Sequence, residues 1–343
     1  MNKIIVCYGT RPELIKLAPL IWRLKSSEFR GQLIVVNTNQ HVDTMCEEAL
    51  DIQPDYCLDV LTLGQNMSQL SAKVISRLDF LIQNLIKERQ NLRAFIVQGD
   101  TITAQSCAQV AFLNKIPLYH VESGFRSDNI HSPFPEEFNR KVISLVAAMH
   151  FAPSETEKNN LLSEGVAAER IKVVGNTVND ILKHYYKEGH KQQKKIVLIS
   201  IHRKSNQNEN LNLLFDQVES LANQYPSMKF IWLRHPAPFI NKTISNPNSK
   251  INIRSDVFYP EMAKLYETCS VVITDSGGIM KESAFLGIPR IIIREDNERI
   301  GLLDSPDTYL YTPLDRKLED IFVSALLTRG IRHYIYGNGF TAE

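Results

Sequence analysis

Short, nearly continuous apolar runs alternate along this chain with longer stretches whose apolar positions return every three or four residues. In the first half the runs are 3–9, 32–38, 94–100, 117–123, 149–154 and 170–176; in the second they are 195–202, 229–235, 250–255, 270–276 and 290–296. Strands that are apolar on both faces and separated by helices predict a parallel sheet covered on both sides. The rhythm breaks once, at the basic stretch 183–195, and then restarts. The pattern predicts an α/β chain of two doubly wound, Rossmann-like domains facing across a cleft. The expected bounds are 1–182 for the first domain, 183–194 for a linker and 195–343 for the second domain.

Polar residues gather where the runs end. GTRPE follows the first, NTNQH the second, GDT the third and ESGFRS the fourth; HRK, RHP, DSGG and REDNER do the same in the second half. Open α/β sheets bind ligands outside the carboxyl ends of their strands, so these tips are the places to look for chemistry. In DSGGIMKES (275–283), Ser276, Gly277 and Gly278 lie between a strand and a helix. Backbone N–H groups there can approach an anion, although an ordinary serine-capped turn reads the same way. Glu282, two turns on, is placed either to accept from ribose hydroxyls or to face solvent. Arg11 stands at the first strand-to-helix turn, where it can reach a phosphate or a structural carboxylate, and Lys16 follows a turn later.

Asp100 is at a strand tip, where it either caps the next helix or projects as an acid, base or orienting group. With Glu122, at the end of the next strand, and Glu136, at the start of the helix after a loop held by Pro133 and Pro135, it makes a set of carboxylates suited to proton transfer. Glu136 and Glu137 stand side by side, so one of the pair is expected to be structural. His202 and His235 end strands of the second half and can neutralise phosphate charge, pass protons or serve as plain hydrogen-bonded histidines.

Composition narrows the classes. The chain has 343 residues, a net charge of +1 and 43% hydrophobic residues, which allows a full core and argues against a nucleic-acid binder. Five scattered cysteines show no ligand spacing, so neither a metal site nor a disulfide framework is expected. No apolar run approaches the roughly 20 residues of a membrane span, and the first residues enter a strand without room for a signal peptide, so no membrane partner and a cytoplasmic location are expected. With no GxGxxG after the first strand and no Walker lysine motif, NAD and ATP are disfavoured and no cofactor is expected.

These motifs, GTRPELIKLAPL, QHVDTM, GDT, HVESGFRS, SPFPEEFNR, FAPSETEKNNLL, GNTVNDIL, HRK and TDSGGIMKES with LGIPRIIIREDNER, lie in the order and approximate spacing of the non-hydrolysing bacterial UDP-N-acetylglucosamine 2-epimerases. The chain resembles that family along nearly its whole length. The resemblance implies a glycosyltransferase-B type fold, a homodimer, and interconversion of UDP-N-acetylglucosamine and UDP-N-acetylmannosamine for surface polysaccharide synthesis. It implies elimination of UDP to a 2-acetamidoglucal, followed by protonation of the opposite face and return of UDP. By motif, Asp100, Glu122 and Glu136 match the family's catalytic acids and His202 a histidine on the diphosphate side. Arg11, Ser276, Gly277, Gly278, Glu282 and Arg299 match positions that hold UDP, and Lys16 and His235 are grouped with them. Gln40 and His41 fall in a segment that contributes to an allosteric UDP-N-acetylglucosamine site in some members. The chain ends in YGNGFTAE, roughly where the family's last helix begins. The alternatives are a relative acting on another UDP-2-acetamido sugar, one that hydrolyses the intermediate, a glycosyltransferase, and a catalytically silent UDP-sugar-binding protein.

Overall fold

A computed structural model describes residues 2–41, 44–187, 195–201, 209–234, 249–255, 257–293, 304–312 and 317–343. It divides into two compact units, residues 1–181 with 335–343, and residues 182–334.

The first unit is built on a seven-stranded sheet, and all its pairings are parallel. Its strands are β1 (Asn2–Thr10), β2 (Leu33–His41), β3 (Tyr56–Cys57), β4 (Asn91–Gln98), β5 (Leu118–Val121), β6 (Met149–Ala152) and β7 (Ile171–Val173), in the order β3-β2-β1-β4-β5-β6-β7. Its helices are α1 (Arg11–Ser26), α2 (Thr44–Ala49), α3 (Met67–Lys87), α4 (Ile102–Leu113), α5 (Glu136–Val146), α6 (Glu155–Ser163) and α7 (Thr177–Tyr185). Helices cover both faces, so β1 is apolar without alternation: Ile5, Val6, Cys7 and Tyr8 are all buried. On α1, Leu14, Leu17, Ala18 and Ile21 form the buried stripe. The small side chains Ala104, Ser106, Cys107, Ala108 and Ala111 let α4 sink between α3 and α5.

The second unit repeats the design with a six-stranded, wholly parallel sheet in the order β10-β9-β8-β11-β12-β13. Its strands are β8 (Ile196–Ser200), β9 (Lys229–Leu233), β10 (Asn252–Arg254), β11 (Cys269–Thr274), β12 (Arg290–Ile293) and β13 (Thr308–Tyr311). The helices are α8 (Glu209–Gln224), α9 (Tyr259–Glu267), α10 (Gly277–Leu286) and α11 (Leu318–Leu327). Trp232, Phe230, Phe322 and Phe215 fill its core.

Strand order fixes where a ligand can enter. In the first unit the chain moves outward from β1 to β2 and β3, then returns to β4 on the other side of β1, so the switch point lies at the carboxyl ends of β1 and β4. In the second unit the equivalent point lies at the ends of β8 and β11. Ser200 and Thr274 register opposite each other there.

Two boundaries differ from the sequence expectation. Helix α7 runs through Tyr185, so residues 183–185 finish a helix instead of opening a linker. Residues 335–343, expected at the end of the second domain, pack on the first unit. The reason is local. Gly175 and Gly337 both have positive φ, 97° and 85°, and a Cβ on Gly175 would lie 2.8 Å from the Tyr336 carbonyl oxygen and 3.0 Å from the Gly337 Cα. Only a bare backbone lets the two segments meet.

Gly9, at the first switch point, is equally constrained. A Cβ there would lie 2.2 Å from both Thr38 Oγ1 and Thr103 Oγ1, which are themselves bonded at 3.0 Å. Gly9→Ala is therefore expected to destabilise the protein by about 1–3 kcal/mol in urea or thermal unfolding. Gly31→Ala, where a Cβ meets nothing within 4 Å, is the control and stays within about 0.5 kcal/mol. Equal stability of the two variants would contradict the packing assignment.

Candidate functional site

Glu122 leaves β5 with φ 61°. Its Oε1 accepts from Asn176 Nδ2 at 2.7 Å, and its Oε2 accepts from Lys16 Nζ and Gln98 Nε2. These donors come from α1, the tip of β4 and the β7–α7 turn, so one carboxylate ties together three separate parts of the sheet rim. Lys16, which the sequence grouped with UDP-binding residues, is thus an ion-pair partner of Glu122 in this structure.

Asp100 follows β4 and does not cap α4; Thr101 does, its Oγ1 accepting from Ala104 N at 3.0 Å. The carboxylate instead accepts from Arg140 Nε at 2.7 Å, and the Asp100 carbonyl accepts from Asn139 Nδ2 at 2.8 Å. Both bonds anchor the start of α5 against the β4 turn. That start is Glu136 and Glu137, and the two differ in their partners. Glu137 is fully buried, pairs with Arg140 at 3.1 Å and accepts from Ser127 N at 3.1 Å. Glu136 keeps a buried Oε2 that has no hydrogen-bond partner. Glu137 is the member bonded to its surroundings, through Oε2, while its Oε1, like Glu136 Oε2, is buried without a partner.

Two buried groups shape this rim. Glu13, only 1% exposed, accepts from Gly9 N (3.1 Å), Thr10 N (2.8 Å), Thr10 Oγ1 (2.8 Å) and Thr101 Oγ1 (2.7 Å). It joins the two strand-to-helix turns of the switch point. Burial pushes its carboxyl above the ordinary range although these donors pull the other way. His120 donates from Nε2 to the Gly99 carbonyl at 2.7 Å, holding the left-handed Gly99 turn (φ 71°) that presents Asp100. Burial lowers the His120 pKa to about 4, so the ring is neutral near pH 7.

The loop between β5 and α5 is fastened by Arg126. Its Nε and Nη2 reach both Glu164 oxygens at 2.9 and 2.6 Å, and Nη2 also donates to Ser144 Oγ at 2.9 Å. Arg126 is accordingly a loop anchor.

In the second unit the turn after β11 is fixed by Thr274, whose Oγ1 donates to Ser200 O at 2.8 Å and accepts from Ser276 N at 2.9 Å. Ser276 caps α10, accepting from Ile279 N at 3.5 Å. A Cβ on Gly278 would meet nothing closer than Ser276 Oγ at 3.7 Å, and Gly278 has no positive φ, so neither packing nor backbone requires glycine there. The residue leaves room beside a helix N-terminus with no acidic side chain in its first turn, the arrangement an anion favours. Glu282 is not a solvent-facing residue: it is 8% exposed and accepts from Tyr266 Oη at 2.7 Å. Arg11 is half-buried at the start of α1. Gln40 Oε1 accepts from Thr103 Oγ1 at 2.9 Å. His202, His235, Arg299 and the His41 side chain lie outside the described residues.

Sequence reasoning did not single out Gln98, Asn176, Glu13 or His120. Signals existed for two of them. Thr10 and Glu13 have capping-box spacing, and Asn176 sits in one of the polar strand-tip motifs, GNT. The roles of Gln98 and His120 depend on which strands become neighbours.

Residues 24–343 match the family model described as UDP-N-acetylglucosamine 2-epimerase. A probable UDP-N-acetylglucosamine 2-epimerase of Ralstonia nicotianae is 32% identical over 324 residues, covering 87% of this chain and 84% of its own length. The UDP-N-acetylglucosamine 2-epimerase of Salmonella borreze is 31% identical over 335 residues, covering 91% and 87%. Among solved structures, the UDP-GlcNAc 2-epimerase of Neisseria meningitidis bound to UDP-GlcNAc superposes with a TM-score of 0.82 at 26% identity, covering 100% of this chain and 97% of that one. With a family match that runs over nearly the whole chain and two wholly parallel, doubly wound units beneath it, the protein belongs to the UDP-N-acetylglucosamine 2-epimerase family.

Proposed function

We propose that this protein interconverts UDP-N-acetylglucosamine and UDP-N-acetylmannosamine, with Asp100, Glu122 and Glu136 as the acidic groups at the sugar. The observation that supports this reading most is the convergence of these three residues on one rim of the first unit. Asp100 and Glu122 end adjacent strands, and Arg140, one turn after Glu136, bonds Asp100.

Carbon 2 of the sugar has no neighbouring carbonyl, so its hydrogen is hardly acidic and must leave as the bond to UDP breaks. A carboxylate takes the proton, the C–H pair becomes the C1–C2 double bond, and the C1–O pair departs with UDP. The 2-acetamidoglucal then receives a proton on its opposite face while a UDP oxygen re-forms the bond to C1. Two faces call for two proton-transfer groups, and Glu122 and Glu136 are the pair we assign. Glu122 is held rigidly by its donors; Glu136 offers a buried oxygen with an unmade hydrogen bond. Asp100, ion-paired to Arg140, orients the rim. In the second unit, Ser276, Gly277 and Gly278 at the start of α10 serve the diphosphate of the UDP and Glu282 its ribose side; roles of Arg11, His202, His235 and Arg299 toward UDP rest on the family resemblance. Stabilisation of the departing UDP by such groups supplies much of the barrier lowering. No cofactor enters this scheme. An allosteric role for Gln40 and His41 rests on the family resemblance.

A homodimer and a cytoplasmic location belong to the same proposal. Phe80, Phe112, Leu113 and Leu145 are exposed on α3, α4 and α5, which pack side by side, and exposed apolar surface of that kind marks an interface between subunits. No helix among the described residues is long and apolar enough to cross a membrane.

Incubation with UDP-N-acetylglucosamine in deuterated water tests the reaction. Deuterium at carbon 2 with UDP retained in the sugar nucleotide is the expected result; steady accumulation of free UDP would show a hydrolase instead. Glu122→Gln and Glu136→Gln are each expected to lower exchange by about 10²–10⁴-fold with UDP binding largely intact, and near-normal turnover in both would refute the assignment. Sedimentation of the native protein should give twice the chain mass, with Phe112→Asp shifting it to the monomer; a monomeric native protein overturns the dimer.

A further inference from the structure

Asn176 occupies the turn between β7 and α7, is 3% exposed, and spends each of its polar groups on a different neighbour. Its N–H donates to Tyr336 O at 2.7 Å, and its carbonyl accepts from Asn179 N at 3.0 Å. Its Oδ1 accepts from Val178 N at 3.0 Å, and its Nδ2 donates to Glu122 Oε1 at 2.7 Å. The same turn receives residues 335–343. Asn179 Nδ2 donates to Tyr336 O and Gly337 O, each at 3.0 Å. Asp180 Oδ1 accepts from Ala342 N at 2.8 Å. The bare backbones of Gly175 and Gly337 meet between them. The Tyr336 ring lies within electrostatic reach of Glu157 and Glu122, and burial first, then those two charges, push its phenol up to about 12. It stays protonated at any pH at which the enzyme would be assayed.

Asn176 therefore bridges a docked segment and a reacting carboxylate by hydrogen bonds. We propose that Asn176 is a positioning residue for the epimerisation and that residues 335–343 are its support. The docked segment holds the β7–α7 turn in place, and the side-chain amide of that turn orients Glu122. The inference rests on the role assigned to Glu122 above and assigns a use to the YGNG motif, which the reaction scheme leaves idle. Around the carboxylate stand the Lys16 ammonium from α1, the neutral His120 ring from β5 and the Tyr336 phenol of the 335–343 segment; Asn176 joins it to that segment by hydrogen bonds.

Asn176→Asp separates positioning from structure. An aspartate keeps the oxygen that caps Val178 N and the backbone N–H that holds Tyr336, and it suits a helix N-terminus. Only the amide donor is lost, replaced by a carboxylate oxygen facing Glu122. Thermal unfolding is expected within about 3 °C of wild type, a shift of roughly 1 kcal/mol or less for a domain of this size. The kcat for hydrogen exchange at carbon 2 should fall at least about tenfold with KM within about threefold, the pattern of an interaction used in the reaction and not in binding. The acid limb of the rate profile should move up by about one pH unit, because a like charge beside Glu122 disfavours its ionised form. A purely structural residue would lower the melting temperature and leave kcat within about threefold of wild type. If Asn176→Asp does not fold, Asn176→Ser decides the matter: it keeps a capping oxygen, adds no charge and is expected to lower kcat without a comparable loss of UDP binding. Wild-type kcat in a folded variant overturns the inference. Normal turnover by Glu122→Gln overturns the reading beneath it, whereas an inactive Glu122→Gln beside a wild-type-like Asn176→Asp overturns the inference alone.

Discussion

The carboxylate of Glu122 is held where an ordinary strand residue would not place it. A left-handed backbone at a non-glycine residue is strained by about 1–3 kcal/mol, and at Glu122 (φ 61°) that strain is set against hydrogen bonds from Lys16, Gln98 and Asn176. Each donor arrives from a different element, so the position is specified by the whole sheet edge. If any of α1, β4 or the β7–α7 turn moved, the carboxylate would lose a donor and its orientation would relax. Gly124, two residues on, enforces the same geometry from the other side, since a Cβ there would lie 2.3 Å from the Glu157 carbonyl oxygen.

The rim around that carboxylate shows how a parallel sheet turns buried polar groups into scaffolding. Glu13 joins the turns after β1 and β4, His120 clamps Gly99, and Glu137 with Arg140 locks the start of α5. Most of their polar atoms have named partners, as a low-dielectric interior requires, while His120 Nδ1 and Glu137 Oε1 are buried without one. Glu136 Oε2 is a further buried oxygen without a partner, an acceptor that a substrate group would complete.

The architecture was legible because both sheets are buried on both faces: strands such as β1 and β11 read as unbroken apolar runs. Two strands lacked that signal. Tyr56–Cys57 is too short to leave a pattern, and Thr308–Tyr311 is an edge strand carrying the exposed Leu310. Asp100 and Glu122 were legible as candidate residues because strand tips are where this fold places its chemistry, and Glu136 because it opens the next helix. Their partners were not, since Gln98 and Asn176 acquire meaning only once β4, β5 and the β7–α7 turn lie side by side. The packing of residues 335–343 on the first unit was hidden for a related reason: it depends on paired left-handed glycines and backbone carbonyls, which leave no apolar periodicity.

A structure of the protein with UDP-N-acetylglucosamine bound tests the central claim most directly, through the distance from the Glu122 carboxylate to carbon 2 of the sugar. The account predicts an oxygen within about 3–3.5 Å of that carbon, with the Lys16, Gln98 and Asn176 contacts retained, as proton transfer between prepositioned groups requires. A sugar lying beyond about 6 Å, with ordered water between, or a Glu122 side chain turned away from the ligand, would contradict it.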